Sequence, residues 1–166
     1  LKWLLGGTGI VFLYVREELA AALEPTVTGW FAHEHQFAFD PHAIEWHRSA
    51  KRVEQGTPAL AAVYAQIGGL EVIREAGVPA IREVVSELTE DLITRAREHG
   101  LRPKVAGRPE DRTAIVMIPA NEPAAGVRRL AEAGIVADAR PGHVRLSPFF
   151  YNTFEDNAAA IETLTH

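Results

Sequence analysis

Hydrophobic positions in this chain fall into two regimes. Near the start they run together: Ile10-Val11-Phe12-Leu13-Tyr14-Val15 follows the glycine-rich turn Gly6-Gly7-Thr8-Gly9, a pattern that predicts a buried strand behind a turn. Arg16 to Leu23 predicts a short helix that ends before Pro25. From Glu24 to His47 no period holds. That segment carries Trp30, Phe31, Phe37, Phe39 and Trp46 among several histidines, which predicts a long ordered loop packed against other parts of the protein.

The second regime begins near Thr57-Pro58, where proline suits a first helical position. Leu60, Val63, Tyr64, Ile67 and Leu70 are spaced for one face of a helix. Gly77-Val78-Pro79 interrupts the tract, and a second helix is expected from about Pro79 to His99, closing at Gly100. Strands are then expected over Thr113 to Ile118, Ile135 to Ala139 and His143 to Ser147. Helices are expected over Pro123 to Ala133, stopping at Gly134, and Phe154 to Leu164. Strands interleaved with helices in this way suggest a small α+β layer, a sheet covered on one face. The boundary is expected near residues 45 to 60, with the remnant of a larger α/β domain before it.

Composition narrows the function classes. The chain has 166 residues and is 47% hydrophobic, enough for one core with part of another. A formal charge of −5 and the lack of a basic stripe argue against nucleic acid as a partner. The longest apolar run, Gly9 to Val15, is far short of the roughly 20 residues of a membrane-spanning helix. There is no cysteine, which excludes disulfides, thiolate metal ligands and a cysteine nucleophile. The histidines His33, His35, His42 and His47 do not have a compact zinc spacing, so they are expected to pack the loop and not to hold a metal.

Three separate motifs carry a resemblance. They are Lys2-Trp3-Leu4-Leu5-Gly6-Gly7-Thr8-Gly9 near the start, Gln55-Gly56-Thr57-Pro58, and Val144-Arg145-Leu146-Ser147-Pro148-Phe149-Phe150-Tyr151-Asn152-Thr153. Together they resemble the class V aminotransferase family of pyridoxal-phosphate (PLP) enzymes, which includes kynureninases and cysteine desulfurases. The resemblance runs over almost the whole chain and implies a fold type I arrangement. Residues 1–45 would be the C-terminal part of the PLP-binding α/β large domain, supplying lysine, strand and loop. Residues 46–166 would be the small C-terminal α+β domain.

The resemblance also implies site residues, each weighed against a plainer reading. Lys2 would be the catalytic lysine, joined to the cofactor as a Schiff base; alone it reads first as a solvated surface lysine, and the two distant motifs reverse that. Burial and nearby positive charge would be needed to deprotonate such an amine near neutral pH. Gly56 and Thr57 would reach the cofactor phosphate of a neighbouring subunit, implying a homodimer with shared active sites, and the alternative is an ordinary threonine cap. Trp30, in Thr28-Gly29-Trp30-Phe31, resembles the Gly-Trp segment of kynureninases near the cofactor, or else is a core aromatic. Arg145 would bind the substrate α-carboxylate, its planar fork matching a carboxylate in bidentate fashion. The alternatives are an edge-strand arginine in solvent or one paired with Asp138 or Glu155. Arg140, in Ala139-Arg140-Pro141-Gly142, would support the substrate site from a loop.

Cysteine desulfurases of the family carry their thiol on a loop just before the carboxylate-binding arginine. Here Arg140-Pro141-Gly142-His143-Val144 stands in that place, so persulfide chemistry is disfavoured. Gly29-Trp30-Phe31, Phe37-Ala38-Phe39 and the Arg48 to Arg52 stretch look most like kynureninases. The expectation is therefore a PLP-dependent hydrolase or lyase acting on an amino acid, located in the cytoplasm, with an aminotransferase as the alternative. A further alternative is that the chain is a non-catalytic portion of such an enzyme.

Overall fold

In the computed structural model, residues 2–165 are described, so Leu1, the first residue of the lysine motif, lies outside them. The chain divides into two compact units, Leu1–Ile73 and Arg74–His166.

In the first unit the chain forms helix α1 (Glu17–Ala22), short 3-10 turns at Trp30–Ala32 and Ala50–Val53, and helix α2 (Leu60–Ala76), whose last turn passes into the second unit. The predicted strand at 10–15 is absent. Val11, Phe12, Leu13 and Tyr14 are all exposed, and the unit contains no sheet among the described residues for their backbone to join. A strand needs a neighbour to satisfy its N–H and C=O groups, and sequence pattern cannot supply one.

The packing face of α2 also differs from expectation. Leu60, Tyr64, Ile67 and Leu70 are exposed, whereas Gln66 and Gly69 are the buried residues of the helix. A stripe of small residues, Ala59, Ala62, Ala65 and Gly69, receives the glycine-rich segment instead. A side chain added at Gly7 would lie 3.3 Å from Ala65, and one added at Gly9 would lie 3.9 Å from Ala62. The helix begins at Leu60, with the Val63 N–H donating to the Ala59 carbonyl, so Thr57 and Pro58 precede the helix and do not cap it.

The second unit follows its sequence pattern closely. Helix α3 (Val78–Glu98) is followed by β1 (Val116–Pro119), α4 (Pro123–Glu132), β2 (Asp138–Arg140), β3 (His143–Leu146) and α5 (Phe154–Thr165). The strands form an antiparallel sheet in the order β1-β3-β2. One sheet face packs on the helices: Val116, Ile118, Val144 and Leu146 meet Leu92, Ile93, Leu130 and Ile161 in the core. α3 stops in a Schellman turn, with the Gly100 N–H donating to Arg97 and the Leu101 N–H to Ala96. α4 repeats it, with Gly134 donating to Ala131 and Ile135 to Leu130; both glycines have positive φ, 75° and 77°.

The Tyr151-Asn152-Thr153 segment opens α5 with a reciprocal cap. The Asp156 N–H donates to Thr153 Oγ1 while the Thr153 N–H donates to the Asp156 carboxylate, and Asn152 donates to the same carboxylate. Buried Asn157 ties α5 to α3, donating to the Leu88 carbonyl and to Asp91 at 2.9 Å each.

The Thr153 N–H and then the Asn152 amide hold the Asp156 carboxyl below its ordinary value. Because the folded state favours the ionised form, this contribution is present above the unfolded value of about 4 and is lost as pH falls through the folded one. Asp156→Asn is therefore expected to narrow the loss of thermal stability between about pH 6 and about pH 2 relative to the parent. Calorimetric melting of both proteins checks this; equal acid losses would show that the cap carries no such linkage.

Candidate active site

Lys2 stands at the head of a turn closed by the Leu5 N–H donating to the Lys2 carbonyl at 3.0 Å, with Leu5 at φ 54°. The turn rests on α2. Gln66 Nε2 donates to the Leu4 carbonyl at 2.9 Å, and a Cβ at Gly69 would sit 2.5 Å from that same oxygen. Lys2 itself is exposed. The burial expected around a nucleophilic lysine is thus not provided by the described residues of this chain.

The other two candidates of the first unit lie against one another. Gly56 faces the Trp30 indole closely enough that a Cβ would be 3.3 Å from Nε1. Gly29 lies far more tightly on the Gln55 backbone, which leaves no room for a Cβ, so glycine there is what lets the two motifs approach. Trp30 is 42% exposed and is ringed by Phe31, Phe37 and Phe39 at centroid distances of 4.8, 5.7 and 6.0 Å. It is a half-exposed aromatic platform and not a core residue. Thr57 is exposed. Along α2, the span from Leu60, just after Thr57, to Gly69 under the lysine turn is about 13 Å at the helical rise.

Sequence reasoning missed what anchors this loop. Arg52 is 6% exposed, and its guanidinium donates to the carbonyls of His47 (2.7 Å), Ala21 (2.8 Å) and Leu23 (2.7 Å). It thereby answers the C-terminal carbonyls of α1 and the loop at once, which offsets burial of its charge. His33 Nδ1 accepts from the His35 N–H and His47 Nδ1 from the Ser49 N–H, so both rings are engaged in loop turns. Among the described residues no cluster of three or more potential ligands could hold a metal ion.

In the second unit, strand alternation governs the chemistry. Val144 and Leu146 point into the core, so His143 and Arg145 belong to the opposite, open face. β3 is the central strand, not an edge. Arg145 Nη2 pairs with Asp138 at 3.0 Å, and Arg140 Nη1 reaches the same carboxylate oxygen at 2.6 Å. One carboxylate oxygen therefore holds two guanidinium groups. The open face forms a groove of about 720 Å³, lined by Lys104, Met117, Arg140, His143 and Arg145 among others.

The aminotransferase class-V profile matches residues 2–156. The chain belongs to this family. It is 34% identical over 163 residues to the uncharacterized aminotransferase YcbU of Bacillus subtilis (strain 168), covering 98% of this chain and 42% of that one. It is 31% identical over 166 residues to a kynureninase of Shouchella clausii (strain KSM-K16), covering 96% of this chain and 39% of the relative. The chain thus spans about two fifths of the length of these relatives. In fold it resembles the cystine C-S lyase C-DES solved with its product cysteine persulfide, with a TM-score of 0.85 and 19% identity over 99% of this chain and 44% of that chain. A lysine-to-alanine variant of C-DES was solved with glycine covalently linked to its PLP cofactor. No helix among the described residues is long and apolar enough to cross a membrane.

The contact beneath the lysine turn is open to direct test. Nothing lies within 4 Å of a Cβ at Gly68, whereas one at Gly69 meets the Leu4 and Leu5 backbone. Gly68→Ala should therefore stabilise by up to about 1 kcal/mol through helix propensity alone. Gly69→Ala should destabilise by about 1–3 kcal/mol in spite of that gain. Thermal melting of the two variants checks the contrast; the same sign of change in both would place the turn elsewhere.

Proposed function

We propose that the protein of which this chain forms part is a PLP-dependent enzyme acting on an amino acid, with Lys2 as the covalent attachment point and Arg145 as the anchor of the α-carboxylate. The observation that carries this reading is Arg145 on the open sheet face, where its Nη2 touches one oxygen of Asp138 at 3.0 Å. A single contact of this kind leaves the guanidinium fork able to take a substrate carboxylate in bidentate fashion. Class V family membership supports it, as do the kynureninase relatives and the PLP-bearing C-DES variant.

The residues present fit the cofactor. Lys2 offers an exposed amine on a turn fixed by Gln66, and half-exposed Trp30 has Gly56 beside its indole nitrogen, where no side chain intervenes. Exposed Thr57 follows Gly56 immediately before α2, where backbone N–H groups and a hydroxyl suit a phosphate. When bound, the cofactor supplies an electron sink for charge developing at the substrate Cα. The chain's own residues do the rest. Arg145 fixes the carboxylate end of the substrate, Asp138 holds that guanidinium in place between ligands, Arg140 braces Asp138, and Lys2 is the amine available to accept or return a proton.

With no cysteine in the chain, a kynureninase-like hydrolase or lyase reaction is favoured over desulfuration, with transamination as the second reading, favoured by the YcbU relative. We place the enzyme in the cytoplasm and read it as a homodimer. The span of about 13 Å along α2 from Leu60 to Gly69 under the Lys2 turn, with Thr57 three residues before the helix, supports phosphate binding by Thr57 to a neighbouring subunit's cofactor.

Borohydride reduction of the full-length protein with PLP, followed by peptide mapping, should place the phosphopyridoxyl group on Lys2; label on Lys51 or Lys104 instead would end this reading. Arg145→Ala should keep that label and yet cost about 2–5 kcal/mol of transition-state stabilisation.

Chain mixing tests the shared site. Thr57→Ala alone should weaken cofactor affinity by about 10- to 150-fold, the loss of one hydrogen bond to a charged group. At limiting cofactor, a Lys2→Ala chain mixed with a Thr57→Ala chain should regain one working site per mixed dimer. Well-formed mixed dimers with no regained activity would assign Thr57 to its own subunit's site.

A further inference from the structure

We propose that the open face of the sheet carries a subsite for a second anionic group at Lys104, so that the substrate is an amino acid with an acidic side chain. The proposal rests on the reading of Arg145 as the α-carboxylate anchor and extends it along the same sheet face.

The registers place the groups. Lys104 forms an isolated bridge to Met117, Met117 pairs with Arg145, and Arg145 pairs with Asp138. These four residues make one row across the sheet, and directly paired residues share a face. Lys104 and Arg145 are therefore separated by two strand spacings, about 10 Å between Cα atoms, with half-buried Met117 as the floor between them. The bridge is held by the Lys104 N–H donating to the Met117 carbonyl at 2.8 Å, which fixes Lys104 at this position. Arg140 pairs with His143 in the neighbouring row and leans onto Asp138.

Charge completes the inference. Three permanent cations, Lys104, Arg140 and Arg145, line the groove, and none of its lining residues is acidic. Asp138 beside it contacts both Arg140 and Arg145 through one carboxylate oxygen, so the cations outnumber the carboxylate. A substrate with a single carboxylate would engage Arg145 and leave Lys104 facing methylene groups. A substrate with two anionic ends lays its carbon chain over Met117 and gives both ends a cation. Lys104 makes no ion pair among the described residues, so its ammonium is available to this second group.

Titration of the full-length protein with glutarate, succinate and butyrate tests this without turnover. The dicarboxylates should bind more tightly than butyrate by about tenfold or more, as expected for one additional charge-assisted contact. Lys104→Met should erase most of that preference and leave the butyrate affinity in place, while Arg145→Gln should weaken all three ligands. Dicarboxylates binding no better than butyrate, or a preference unchanged in Lys104→Met, would overturn the subsite even if Arg145→Gln weakens everything. Binding of all three that is indifferent to Arg145→Gln would instead overturn the carboxylate anchor on which the subsite rests.

Discussion

The burial of Val144 and Leu146 decides where the charge of the second unit can go. Both side chains are locked into the core against α3, α4 and α5, and a strand cannot rotate one residue without rotating its neighbours. Arg145 is therefore committed to the opposite face, and with it every residue in register: Met117 on one side, Asp138 on the other, Lys104 beyond. A slip of one residue would bury a guanidinium and expose two core residues, which costs far more than a domain of this size can spare. The placement of these charged residues on the open face is thus a by-product of a well-packed core.

The first unit is built on a different principle. Its key contacts are between backbone and backbone, or backbone and small side chains: the lysine turn on Gly69, the glycine segment on Ala62 and Ala65, Gly29 on Gln55, Gly56 on Trp30. Close approach of this kind requires the absence of a Cβ at defined places and polar groups to receive the freed carbonyls. Gln66 and Arg52 are those groups, and both are buried in consequence. Such a unit tolerates very little change at these contact glycines.

This difference explains what could be read from the sequence. Period-2 and helical patterns with glycine stops located the α-helices and strands of the second unit to within a few residues, because there the large apolar side chains are the ones that pack. Thr113 to Ile118 became Val116–Pro119, and Ile135 to Ala139 became Asp138–Arg140. The same logic misled at α2, where Leu60, Tyr64 and Ile67 advertise a buried face but the small-residue stripe beside them makes the contact. It misled again at Ile10 to Val15, since a strand signal reports suitability for a sheet and not the presence of a partner. Arg145 stood out as a cation in an apolar strand. Asp138 as its clamp was one of several options, and Lys104 was invisible because its place follows from a single bridge 41 residues from Arg145 in sequence.

The two modes of construction suit the two tasks assigned to them. Binding a carboxylate requires charged side chains aimed at fixed positions, and a sheet with one face buried provides fixed directions at regular intervals. Receiving a flat cofactor and its phosphate requires room beside an aromatic face and exposed N–H groups, which side chains would obstruct and glycines do not. The exposed apolar residues of α2 and of the 10–15 run belong to neither task. They include Val11 at 89% exposure and Tyr64 at 73%. Under the homodimer reading they are the surface on which the shared site depends. The residues that position Lys2, Gln66 and Gly69, then lie on the small-residue face of α2, and those that would meet a second subunit, Leu60, Tyr64 and Ile67, lie on the other.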